Sequence, residues 1–434
     1  MEHFEQYSYL LSLCVILLST KIFSILSRRA QLPQVVGALM AGLFFGPAVL
    51  GVLTQNLFGV QFCLMPSPLI KRLAELGVIV IMFTAGMETD IHELKASGKV
   101  GFVVALSGVV VPLVMGAGLM YLFDSETTFT SAIFVGAVLT ATSVSITVET
   151  LKELGKMSTK VGNTTLAAAL IDDILGLICL TLITGMAGES VNIWLVIAQI
   201  LGFFVFVALA GFAYIKAMKY SDKMQSNREL KRYAVMGFAF CMFMAWSAEV
   251  LFGVADIIGA FAAGMIIAMA PKGKYIASKF DSISFLLLTP VFFANIGIEV
   301  VMPKMTMELA LFTIAIVIVS VISKLGGCGL GAKLCGFSNS ESYQTGLGMV
   351  CRGEVALIVA DKGMAMNMIN EQYLGPIIIM IIFCTIITPI FLKNAFKGQE
   401  DTAGNAIFEE AFMLTAQADE ITEDLFHRRQ LTRR

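Results

Sequence analysis

The chain has 434 residues, 57% of them hydrophobic and only 14% charged, with a formal net charge of −2 and a mean hydropathy of +0.83. Soluble domains carry about a quarter charged residues, and apolar runs of about 20 residues are too long for globular cores. The balance speaks against a soluble enzyme, a nucleic-acid binder or a secreted module, and for an all-α polytopic membrane protein.

Thirteen membrane segments are predicted in chain order: 7–27, 33–53, 67–87, 99–122, 128–150, 161–186, 190–215, 232–251, 254–270, 281–300, 306–330, 341–362 and 374–395. The N-terminus opens with Glu2 and Glu5 and lacks a basic n-region, so segment 1 is read as a retained helix. Lys21, near its end, is read as a snorkelling side chain. Segments 2 and 9 share a pattern, VVGALMAG at 35–42 and IIGAFAAG at 257–264. Segments 3 and 10 share another, MFTAGME at 82–88 and FFANIGIE at 292–299. A shift of seven segments inverts orientation, which is the mark of inverted-topology transporter repeats. Lysine and arginine divide unevenly, about 23 on one side of the membrane and about four on the other. The crowded side is predicted to be cytoplasmic. That puts the N-terminus outside and the C-terminus inside. The domains are a membrane unit over 1–397 and a short polar cytoplasmic tail over 398–434.

The chemistry concentrates in four places. Segment 6 contains Asp172 and Asp173 near its middle, in ALIDDILGL (169–177). A carboxylate at mid-bilayer is expensive unless paired, hydrated or protonated, so two of them point to a cation or proton site. Adjacent helical residues point about 100° apart, giving the two acids different surroundings. In segment 5, the run Leu139–Thr147 contains five hydroxyl residues, including Thr142 and Ser143. It makes a poor helix, and irregular backbone at that depth belongs around a cavity or inside protein. Segment 12 reads GLGMVCRGE (346–354), with Arg352 and Glu354 too close in sequence to face each other on a helix. A broken helix follows, with Arg352 and Glu354 read as stabilising a crossing with segment 5. Lys324 in segment 11 needs a counter-charge, for which Asp172 or Asp173 is the best available. The pair is either a fixed structural bridge or one that opens when a proton or cation arrives. All three His fall outside the apolar runs, and the eight Cys form no CxxC pair, so neither a metal centre nor a disulfide frame is expected.

Taken in order, PQVVGALMAGLFFGP (33–47), FTAGMETD (83–90), LTATSVSITVETLKELG (139–155), ALIDDILGL (169–177), GAFAAGM (259–265), TPVFFANIGIEV (289–300) and RGEVALIVA (352–360) resemble the monovalent cation:proton antiporter family, of the NapA/GerN type. The resemblance spans nearly all of 7–395. It implies a thirteen-helix Na+/H+ antiporter fold in which a six-helix core, counted here as segments 3–5 and 10–12, moves against a dimerisation domain. It also implies that Asp173 binds the cation and protons, that Asp172 pairs with Lys324, and that Thr142 and Ser143 lie close by. The double aspartate is similar to the electrogenic branch. Glu149 and Glu299 receive no role.

The sequence is accordingly read as a secondary active transporter and not an enzyme. It exchanges Na+ or Li+ for protons by alternating access, with Asp172 and Asp173 as the ion site, no cofactor, a lipid bilayer around it, a homodimeric state and a place in the cell membrane. A K+/H+ antiporter, a potassium efflux pathway and an ion-coupled solute symporter stay open as alternatives. An intramembrane aspartyl protease needs its acids on two facing helices, and here they are neighbours on one.

Overall fold

The computed structural model describes residues 2–397 apart from 31, 59–62, 66, 90, 125–126, 187–192, 225–230, 271–272 and 301–305. The predicted tail, 398–434, lies outside the described residues. Helices account for the fold: α1 (Glu2–Arg29), α2 (Gln34–Phe45), α3 (Val52–Phe58), α4 (Pro68–Glu88), α5 (Ile91–Phe123), α6 (Phe129–Thr140), α7 (Val144–Glu153), α8 (Lys160–Met186), α9 (Ile193–Met224), α10 (Lys231–Phe252), α11 (Asp256–Ala268), α12 (Gly273–Ile283), α13 (Thr289–Ile298), α14 (Met307–Leu334), α15 (Asn339–Gly348), α16 (Glu354–Ala365) and α17 (Leu374–Ala395). Each of the thirteen predicted segments coincides with one of these helices or with a pair in line. Among the described residues, ten helices or helix pairs are long and apolar enough to cross a membrane. The other three segments are charged (α4), short (α11) or interrupted (α15 and α16). Helices suit the setting because hydrocarbon offers no hydrogen bonds, so each span must satisfy its own backbone. Polar caps start several of them: Thr128 and Thr306 accept from the amides of Ser131 and Leu309, and Ser338 and Glu341 cap α15 reciprocally.

The repeat seen in the sequence is a repeat in packing. α2 lies on α13, and α11 lies on α4. A methyl group on Gly42 would fall onto the Ala294 carbonyl, and one on Gly264 onto the Phe83 carbonyl. Gly297 receives the Leu39 carbonyl as Gly86 receives that of Phe261. Each residue of one crossing is aligned with its counterpart in the other. The equivalence extends outward, since Gly37 abuts α1 at Phe23 and Gly259 abuts α10 at Met244. It reappears between α5 and α6, where Gly136 meets Leu113, and between α14 and α15, where Gly346 meets Leu325. Small residues let backbones approach this closely, which is how helices associate in lipid without a hydrophobic drive. The fold is thus two inverted repeats, α1–α8 and α10–α17, with α9 between them.

The helices form two packed groups. α1, α2, α4, α10, α11 and α13 make a scaffold bundle; α5–α8 and α14–α17 make a core bundle centred on α5 against α14. This shifts the expected core by one, from segments 3–5 and 10–12 to segments 4–6 and 11–13. Segments 3 and 10 carry a visible repeat, yet their glycines bind them to segments 9 and 2. Lys21 is exposed, with its ammonium 4.8 Å from the centre of the Phe285 ring, a cation–π contact.

Candidate functional site

Segments 5 and 12 both break at mid-span. α6 ends at Thr140, Ala141–Ser143 are non-helical, and α7 resumes at Val144. α15 ends at Gly348, and α16 starts at Glu354. β-branched and hydroxyl residues weaken the first helix and glycines the second. The breaks grip each other: the Ser143 amide donates to the Cys351 carbonyl at 3.0 Å, and Thr147 Oγ1 donates to the Gly348 carbonyl at 2.8 Å. Gly353 leaves room for Ser143, whose side chain a Cβ there would strike. Two helix N-termini and two C-termini therefore meet at one point, with opposed partial charges.

Asp172 and Lys324 face this point. Lys324 Nζ lies 2.9 Å from Asp172 Oδ1 and 3.0 Å from Oδ2. The two side chains are 0% and 2% exposed, so the pair is fully withdrawn from solvent. Thr142 Oγ1 donates to Asp172 Oδ2 at 2.7 Å. The broken helix thus supplies a hydroxyl to the carboxylate that the lysine neutralises. Gly108 of α5 opens the space for the lysine; a methyl there would press on Cys328 Sγ and come within 3.4 Å of Lys324 Nζ. Asp173, the next residue of α8, is half-buried and turned about 100° from its neighbour. Thr142 is brought to the acid by its side chain, whereas Ser143 joins the crossing through its main chain.

Arg352 is entirely buried. Its guanidinium approaches the carbonyls of Met349 (3.4 Å) and Ser320 (3.5 Å), and its own carbonyl accepts from Thr385 Oγ1 at 2.5 Å. It ties the α15–α16 break to α14 and α17. Asp172 is within its electrostatic reach. Glu354 opens α16 directly after Gly353; its side chain lies outside what the structure describes. Among the described residues no group of three or more His, Cys, Asp or Glu could hold a metal ion. A cation at the acidic pair would have to complete its shell with hydroxyl, carbonyl or water oxygens.

Sequence reasoning missed the clasps between the two bundles. At the end of α7, Lys152 Nζ lies 2.9 Å from Glu88 Oε1 of α4 and 3.3 Å from Thr84 Oγ1. The Glu153 carboxylate accepts the Gln34 amide at 2.6 and 2.8 Å, capping the start of α2. The available signal was two adjacent charges ending a membrane helix, which on their own read as a solvated terminus.

Comparison with known proteins agrees over nearly the whole chain. The family described as "Sodium/hydrogen exchanger, transmembrane" matches residues 14–397. The Na(+)/H(+)-K(+) antiporter GerN of Bacillus cereus is 37% identical, over 92% of this chain and 99% of that protein. A Na(+)/H(+) antiporter of Enterococcus hirae is 34% identical, over 89% and 97%. In three dimensions the sodium proton antiporter MjNhaP1 from Methanocaldococcus jannaschii superposes with a TM-score of 0.68, at 18% identity, over 92% of this chain and 97% of that one; that likeness concerns the fold. The chain is a member of the sodium/hydrogen exchanger family of secondary transporters.

Proposed function

We propose that the protein is an electrogenic Na+/H+ antiporter, accepting Li+ as well, whose ion site is Asp173 together with the Asp172–Lys324 pair and Thr142. The observation that carries this reading is the buried ion pair at the meeting of two broken helices, with a second carboxylate beside it. Such a pair is stable only while its partners match. A cation arriving at Asp173 competes with Lys324 for the carboxylates, and protons compete with both. Occupancy by H+ or by metal ion, but not both, is the condition for exchange. Two protons against one cation moves one net charge per cycle, and the membrane potential then contributes about 2.3 kcal/mol per 100 mV.

The cationic end of the bundle, with Arg28, Lys152 and Lys393, is assigned to the cytoplasm by the positive-inside rule. The N-terminus is then outside, the C-terminus inside, and the membrane is the cell membrane. The scaffold bundle is the surface through which two copies would pair. In proteoliposomes with an imposed pH gradient, Na+ addition is expected to dissipate the gradient with the unmodified protein and to have no effect with Asp173→Asn. Undiminished exchange by that variant would overturn the assignment. The name of GerN includes K+, which motivates running the same assay with K+.

A further inference from the structure

The residues that Lys152 joins have counterparts in the second repeat. Lys152 stands as far along the chain from Gly136 as Lys362 stands from Gly346. Gly136 and Gly346 make equivalent contacts in the two repeats, each against a leucine carbonyl of the preceding helix. Lys152 is therefore matched by Lys362, in the last turn of α16. In the scaffold, Gly86 and Gly297 are equivalent by packing, and counting from them matches Thr84 with Asn295 and Glu88 with Glu299. One trio, Lys152 with Thr84 and Glu88, sits at the cationic end and is closed. The other, Lys362 with Asn295 and Glu299, sits at the opposite end. There the two scaffold members hold each other, Asn295 Nδ2 donating to Glu299 Oε1 at 3.0 Å. In both trios the lysine belongs to the core bundle and its partners to the scaffold.

We infer that Lys152–Glu88 and Lys362–Glu299 are alternating clasps, one closed in each of the two access states, so that the core trades the first for the second as it swings. This rests on the alternating-access reading and adds residues outside the ion site. In a molecule built of inverted repeats, the opposite state is reached when the repeats exchange their arrangements. Lys362 would then take Glu299 from Asn295, as Lys152 now engages Glu88. The exchange is not fully symmetric. Glu153 adds a second hold on α2 at the cationic end, and its counterpart is Gly363, which has no side chain. The cationic end thus has a hold on the scaffold that its counterpart lacks.

The test is a charge-swap cycle on the full-length protein in proteoliposomes. Lys362→Glu and Glu299→Lys singly are expected to slow cation-driven proton exchange by about fivefold, as for like charges placed together, while the double swap recovers most of the rate. Thermal stabilisation by Na+ should be the same in all four proteins, since none of these residues touches the acidic pair. Single variants without effect, or a double swap no faster than the slower single, would overturn the inference. A second readout does not depend on transport. Lys362→Cys with Glu299→Cys should cross-link under mild oxidation, as should Lys152→Cys with Glu88→Cys. Cross-linking of only the latter pair would show that the first never meets. Absence of cation-dependent proton movement in the unmodified protein would instead remove the antiporter reading and leave the cross-linking result standing.

Discussion

The two repeats match where they pack and part where they carry charge. Gly42 with Ala294 and Gly264 with Phe83 are the same contact made twice, backbone against backbone. α8 and α17 end their respective repeats and share no chemistry. α8 carries Asp172 and Asp173, whereas α17 runs from Leu374 to Leu392 without a charged residue and offers Thr385 to the Arg352 carbonyl. The breaks differ as well: the first presents the Thr142 hydroxyl to Asp172, and the second places the Arg352 cation against carbonyls. Packing tolerates duplication because any small residue at the contact serves. The proposed ion site needs a single set of acids: α8 of one repeat holds the two aspartates, and α14 of the other holds the Lys324 counter-charge.

The contrast can be broken most forcefully at its charged half. Lys324→Met leaves Asp172 buried without its cation and should lower stability by about 3–5 kcal/mol, read as a fall in detergent melting temperature. Adding Asp172→Leu should restore much of the melting temperature but no exchange. Thr142→Val removes the hydroxyl donor to the same carboxylate. A loss of about 1.5–3 kcal/mol is expected for a hydrogen bond to a charged group, visible as weaker stabilisation by Na+. The packing half can be sharpened by pairing Gly42→Ala with Gly264→Ala. Each should destabilise by about 1–3 kcal/mol through overpacking, and unequal losses would show that the repeats are less alike than their contacts. Gly118→Ala in α5 meets nothing within 4 Å and should stabilise by up to about 1 kcal/mol. The smallest effect is expected from Glu153→Gln, which weakens the cap on α2 and should make a cysteine placed near the cationic end of α7 more reactive to a water-soluble maleimide.

Much of this was legible in advance. The thirteen segments followed from apolar run length, because hydrocarbon thickness dictates helix length. The double aspartate and the two weak helices stood out because a membrane span has few reasons to hold such residues. The membership of the core bundle did not follow. α5 and α14 form its centre, and their sequences show no matching motif; their contact rests on Gly108, Gly327 and Gly331, which lie among many other membrane glycines. Lys152, Glu153 and Glu88 were also opaque. A charged residue ending a helix looks the same whether it faces water or clasps another bundle, and only the fold brings α7 beside α4 and α2.

The most direct test of the central claim is proton release on cation binding. Purified protein in weakly buffered detergent solution is titrated with NaCl while pH is followed, with choline chloride as the ionic-strength control. The unmodified protein is predicted to release protons as Na+ saturates, and Asp173→Asn to release none. Na+ binding to the unmodified protein with no change in pH, or equal release from the variant, would contradict the claim that protons and alkali ions occupy the acidic pair in turn.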